Sequence, residues 1–268
     1  AIGSQTAGSV IRPASFCGVV GFKPTYDAIA LGGVLKLAPA LDTLGTFART
    51  VADAGLLAAA LGKAGGPLAG IAAGAAQPER VVLCRTHEWD QADEATREVL
   101  DSVLARLAGA GVAVDRHDMP RAFDELVEAQ NDVMVAEMAA SLAEERANHA
   151  ALLSEGLRAQ LDKGAALGPK RLAERLSYLA SCRAQADSLF DDADLLLTAA
   201  APGPAPPAET TGDPLFNRPW TALHLPCLTL PAGTGAGGLP IGAQLVGRNG
   251  GDARLVAHGA WIESVLGE

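Results

Sequence analysis

Apolar and polar positions along this chain fall into two periods, and the switches between them mark out the elements. Residues 80–85 (RVVLCR) form a short β-branched run. Residues 93–109 carry Val99, Leu100, Val103, Leu104 and Leu107 at helical spacing, and VAVDR follows at 112–116. Strand, helix and strand in that order predict a βαβ unit with parallel strands and a right-handed crossover, which places the chain in the α/β class. Residues 49–61 (RTVADAGLLAAAL) are rich in alanine and leucine and close on Gly62, predicting a buried helix with a glycine stop. Residues 194–198 (DLLLT) predict a strand that runs into AAAPGPAPPAETTG, whose prolines exclude regular structure and imply a long loop at the strand's carboxyl end.

The tail returns to short elements. A helix is expected around Phe216 to Leu223, a strand at CLTLP, a glycine turn, a strand at PIGAQLVG, and a helix from Asp252 with that aspartate as N-cap. Between Arg121 and Asp192 strand signals all but vanish. Glutamate, alanine, leucine and arginine dominate there, with breaks at Gly156, Gly164 and Gly168-Pro169, so three helices are expected as a cover over the sheet, at about 121–192. Residues 63–78 (KAGGPLAGIAAGAAQP), almost without charge, read as a flexible surface connection. No repeat of fixed period is present, and residues 1–268 are taken as a single domain.

Composition narrows the function classes. A chain of 268 residues with 49% hydrophobic and 19% charged residues is globular. The net charge of -10, scattered rather than blocked, leaves no phosphate-tracking surface, so no nucleic-acid partner is expected. The isolated Cys17, Cys84, Cys182 and Cys227 read as reduced core residues, and no cofactor or metal is expected. His87, Glu88 and Asp90 lie too close together, without a second histidine, to make a good ligand set. No apolar run reaches the roughly 18 residues of a spanning helix and no signal peptide opens the sequence, so no membrane association and a cytoplasmic location are expected. Ala1 is followed at once by a glycine-rich motif, which reads as a truncated beginning.

That motif holds the candidate chemistry. In Gly3-Ser4-Gln5-Thr6-Ala7-Gly8-Ser9 small residues let the backbone pack tightly and leave successive amides free to point at one spot, as an oxyanion hole requires. A serine among glycines is equally a loop or cap residue, and the Gly-x-Ser-x-Gly elbow is absent, since Val10 and Ile11 follow Ser9. Local spacing leaves both readings open.

The stretch from Gly3 to Asp53, GSQTAGSVIRPASFCGVVGFKPTYDAIALGGVLKLAPALDTLGTFARTVAD, resembles the signature region of the amidase signature family. The end, FNRPWTALHLPCLTLPAGTGAGGLPIGAQLVGRNGGDARLVAHGAWIE, is similar to that family's C-terminal region, in the same order. The resemblance implies an α/β/α sandwich with a central mixed sheet, here without its N-terminal part. It implies a triad of lysine, a serine with a cis peptide bond and a nucleophilic serine. By motif the nucleophile is Ser9, with oxyanion-hole amides from Thr6, Ala7 and Gly8 and from Ser9 itself. The lysine and the bridging serine lie upstream in the family, so the isolated chain is expected to be inactive. Lys23, in GFKPT, belongs to the signature's scaffold.

The implied activity is hydrolysis of a small-molecule carboxamide through a serine acyl-enzyme. Phe216, Trp220 and Leu225 are candidate pocket residues, with core packing the competing reading. Three positions depart from the usual motif: Gln5 where many members carry aspartate, Ala7 where they carry glycine, and Arg12 three rather than two residues after the nucleophile. Two other readings are an inert fragment and the amidase subunit of a tRNA-dependent amidotransferase. Expected partners are a second copy or the missing N-terminal part, because a sheet lacking strands presents an open edge.

Overall fold

The computed structural model describes residues 1–71 and 74–267. Eight strands form one mixed sheet: β1 (Ile2–Gln5), β2 (Val20–Lys23), β3 (Thr43–Ala48), β4 (Arg80–Arg85), β5 (Ala113–Asp118), β6 (Leu195–Ala199), β7 (Cys227–Thr234) and β8 (Pro240–Val246). Their order is β1-β3-β2-β7-β8-β6-β4-β5. Strand β4 pairs in parallel with β5 and β6, and the remaining neighbours are antiparallel. The predicted βαβ unit is present, with α3 (Glu94–Gly109) as the crossover and Asp93 capping it through an acceptor bond from the Thr96 amide.

The two faces of the sheet are covered separately, which gives the α/β/α sandwich. Val81, Leu83, Leu195, Leu197, Leu228 and Leu245 face a core shared with α2 (Val51–Leu61), α3 and α8 (Asp252–Gly267). The alternate positions Val82, Cys84, Leu196, Cys227 and Val246 face α4 (Leu126–Ser141), the later half of α6 (Glu155–Gln185) and α7 (Arg218–Ala222). This is the period-2 pattern of a sheet buried on both sides. A short α1 (Ile11–Cys17) follows β1, and α5 (Ala143–Asn148) links α4 to α6.

The helical cover breaks at Gly168-Pro169 as expected, but not at Gly156 or Gly164, which lie inside α6. At Gly168 the backbone takes φ 77°, a left-handed value that glycine adopts without strain, and Pro169 then restarts the helix. Gly164 serves a different purpose: a Cβ there would lie 1.9 Å from the Val135 carbonyl, so its absence lets α4 and α6 touch.

Three expectations are corrected. The connection 63–78 is pinned in part, because Leu68 and Ile71 are buried in the core; Ala72 and Ala73 lie outside the described residues. Cys17 is exposed, while the other three cysteines are buried as expected. Asp252 is the first residue of α8 and turns its carboxylate to Thr25, which donates from its amide at 2.8 Å and from its hydroxyl at 2.5 Å. No described helix is long and apolar enough to cross a membrane.

Candidate active site

The glycine-rich motif that ends in Ser9 lies where β1, at the edge of the sheet, turns into α1. Gly8 is required by packing, since a Cβ there would lie 2.2 Å from Asn217 Oδ1 and 2.8 Å from Pro214 Cβ. Ala7 is buried and has no left-handed backbone, so its methyl group is accommodated without conformational cost.

A buried hydrogen-bond network sets the turn. Gln5 accepts through Oε1 from the amides of Val10 at 2.9 Å and Ile11 at 3.0 Å, and its Nε2 donates to Thr221 Oγ1 at 2.9 Å. The Thr221 hydroxyl donates onward to the Ala7 carbonyl at 2.7 Å. The Thr6 carbonyl accepts from Gln130 Nε2 at 2.8 Å, and Arg218 donates to Gln130 Oε1 at 2.5 Å. The Gly8 carbonyl accepts from the Arg12 amide at 3.0 Å. In a trans peptide each carbonyl points opposite to the N–H of the next residue. Fixing the carbonyls of Thr6, Ala7 and Gly8 therefore aims the amides of Ala7, Gly8 and Ser9 the other way, and among the described residues those three amides have no acceptor.

Ser9 is exposed and opens onto a cleft of about 180 Å³, with Ser4 and Thr6 beside it and Leu31, Val34, Leu35, Leu37, Lys36 and Asp42 completing the lining. Asp42 joins the two sides. Its Oδ1 accepts from the Thr6 hydroxyl at 2.6 Å, and its Oδ2 accepts from the amides of Leu37 at 2.7 Å and Ala38 at 3.0 Å. The far end of that loop is held by Tyr26, which donates to the Pro39 carbonyl at 2.6 Å, and by Glu137, which accepts from the Ala40 amide at 2.8 Å. His224 completes the clamp: it stacks on Tyr26 with centroids 3.9 Å apart and places Nε2 2.9 Å from the Ala40 carbonyl. Burial, reinforced by the nearby Arg183 charge, lowers the His224 pKa to about 3, so the ring is neutral and donates from Nε2.

The charged residues around the motif are structural in their contacts. Lys23 is buried and donates to the carbonyls of Leu225 at 2.6 Å and Pro24 at 3.0 Å, and desolvation holds its pKa below the usual value. It ties β2 to the segment before β7 and does not line the cleft. Arg12 and Arg218 are also lowered by burial, with Asp213 opposing the shift in both.

Phe216, Trp220 and Leu225 are fully buried and lie outside the cleft. Trp89 meets the Phe216 ring edge-on at 6.5 Å, and Trp220 and Leu225 pack in the core beneath α4 and α6. Because α7 points its apolar side into the molecule, the wall opposite Ser9 comes from Leu31 to Leu37 instead. His87, Glu88 and Asp90 form no ligand cluster, and no group of metal-ligating side chains occurs among the described residues.

A mixed sheet in an α/β/α sandwich, with a glycine-spaced serine turn at the end of an edge strand, defines an α/β protein. The Amidase family model matches residues 1–256, and the chain belongs to that family. It is 32% identical over 282 residues to 2-amino-5-chloromuconic acid deaminase of Comamonas testosteroni, covering 100% of this chain and 61% of the relative. It is 31% identical to a glutamyl-tRNA(Gln) amidotransferase subunit from Synechococcus sp. (strain WH7803), covering 92% of this chain and 59% of the relative. A crystal structure of an amidase superposes with TM-score 0.87 at 28% identity, covering 99% of this chain and 62% of that one. The chain thus spans about six tenths of the length of the relatives it matches.

Proposed function

We propose that this chain carries the nucleophile of an amide hydrolase. Ser9 Oγ attacks the carboxamide carbon, the carbonyl π electrons move to oxygen, and that oxyanion is received by the amides of Ala7, Gly8 and Ser9. The C–N bond then breaks, and ammonia or an amine leaves with a proton. Water adds to the resulting ester, and the Ser9–acyl bond breaks to give the acid and free serine. Of the expected donors, Thr6 contributes mainly through its hydroxyl, which locks the turn to Asp42. The apolar wall of Leu31, Val34, Leu35 and Leu37 suits a short acyl group.

The observation that carries this reading is the row of three acceptor-free amides beside an exposed serine. Among the described residues no side chain hydrogen-bonds Ser9 and no peptide bond is cis. The lysine and bridging serine that the family pattern implies thus have no counterpart in contact with Ser9 among the described residues. An associating N-terminal segment, or a second copy, fits against the edge strand β1, where Ile2 is 51% exposed. Treating the full-length protein with a fluorophosphonate and mapping the adduct by peptide mass spectrometry tests the assignment. The adduct is expected on Ser9, and an adduct on another residue refutes it.

A second reading, the amidase subunit of a tRNA-dependent amidotransferase, draws support from the Synechococcus relative. The net charge of -10 favours the small-amide reading, because a tRNA partner calls for a basic surface. Stimulation of ammonia release by misacylated tRNA would favour the amidotransferase reading instead.

A further inference from the structure

We infer that Gln130 and Thr221 are positioning residues of the oxyanion site, each ending a polar relay whose direction is fixed by a group that can only donate. This inference rests on the amidase reading above and extends it to residues outside the motif.

The first relay begins at Arg218, whose guanidinium has no acceptor. Its bond to Gln130 at 2.5 Å must therefore end on Oε1, which leaves Nε2 facing the Thr6 carbonyl at 2.8 Å. The amide of Gln130 cannot flip without placing two donors together at one end and two acceptors at the other. The second relay begins at the amides of Val10 and Ile11, which bind Gln5 Oε1 and turn its Nε2 to Thr221. With a donor already directed at its oxygen, the Thr221 hydroxyl places its proton on the Ala7 carbonyl at 2.7 Å. Gln130, Gln5 and Thr221 are all at most 1% exposed, so water does not offer a substitute donor.

The consequence follows from peptide planarity. The Thr6 carbonyl and the Ala7 amide are one rigid unit, as are the Ala7 carbonyl and the Gly8 amide. Gln130, from the second turn of α4, and Thr221, from α7, thereby orient two of the three oxyanion donors without approaching the substrate. The helical cover is in this way part of the site's geometry.

The test uses the full-length protein with benzamide and propionamide as substrates and phenylboronic acid as a tetrahedral mimic. Thr221→Val removes the hydroxyl at constant shape, and Gln130→Glu sets an acceptor against the Thr6 carbonyl while retaining Arg218. Each is expected to lower kcat by about tenfold or more, since loss of a whole oxyanion donor costs about 10² to 10³. KM should stay within about twofold, and phenylboronic acid affinity measured by calorimetry should fall in step with kcat. Thr221→Ser, which keeps the hydroxyl, is expected to restore both. If either variant fails to fold, Thr221→Ala or Gln130→Met takes its place. Unchanged kcat and boronate affinity in the donor-deleted variants, or a Thr221→Ser protein as slow as Thr221→Val, would overturn the inference. Retained turnover in a parallel Ser9→Ala variant would instead overturn the amidase reading, and the relays' role with it.

Discussion

The turn that carries Ser9 and the helical cover are both rich in polar contacts, yet they are built on opposite principles. Around Ser9 the network is largely buried and runs through the neutral groups of Gln5, Thr221, Gln130, Asn217 and Gln244, with the charges of Arg218 and Asp42 at its ends and every link directional. In the cover the contacts are ionic: the buried Arg175 meets the buried Asp132 at 2.9 Å and reaches out to the exposed Glu125 and Glu128, and at the rim Arg171 meets Glu128 at 2.9 Å. Buried neutral hydrogen bonds specify one arrangement, because each unsatisfied partner costs about 1–3 kcal/mol. Exposed ion pairs add little and tolerate rearrangement. Geometry is thus fixed tightly in the buried network around Ser9, and most loosely at the exposed rim of the cover, where Arg171 meets Glu128.

Four substitutions and one titration sharpen that contrast. The largest effect is expected from Ser9→Ala, which should lower turnover of the full-length protein by about 10³-fold or more while leaving its melting temperature unchanged. In the same assay the isolated 268-residue chain should not hydrolyse benzamide or propionamide, and turnover abolished by Ser9→Ala would contradict this. Next in size is Lys23→Ala, which leaves two buried carbonyls and Asp252 without their cation; urea unfolding should show a loss of about 3–5 kcal/mol. Gly8→Ala should cost about 1–3 kcal/mol by the same measurement, as the new methyl displaces Asn217 and Pro214. On the cover, Arg171→Ala should cost about 0.5 kcal/mol or less, and a loss as large as that of Gly8→Ala would erase the distinction between the regions.

The titration concerns His224. Its folded pKa of about 3 lies below the ordinary 6.5, so between those values the unfolded chain binds a proton that the native ring refuses. The contribution is fully present above pH 6.5 and is lost as pH falls toward 3, with a slope of at most about 1.4 kcal/mol per pH unit. His224→Asn keeps a residue that tolerates the left-handed backbone, φ 65°, and should flatten that part of the stability profile. An unchanged slope would remove His224 from the clamp.

The fold was legible wherever period and punctuation agreed. RVVLCR, the stop at Gly62 and the break at Gly168-Pro169 are local signals, and each lies on an element boundary or a core face. Of the site, the serine turn was legible as a motif. Gln130 and Thr221 were not, because what matters about them is contact across 124 and 214 residues of sequence, and neither has a local signature. Phe216, Trp220 and Leu225 read either way for a related reason: large apolar residues beside a long loop serve a pocket or a core equally well, and only their complete burial in the fold separates the two. Leu31, Val34, Leu35 and Leu37 went unnoticed because their segment has no strand or helix period to draw the eye.

The glutamine at position 5 has a consequence for the conditions under which the turn survives. A carboxylate accepting the Val10 and Ile11 amides would lose acceptor strength on protonation in acid, and the turn would loosen with it. An amide has no such proton to gain. The bonds that Gln5 accepts from Val10 and Ile11 therefore persist at any acidity the rest of the molecule withstands.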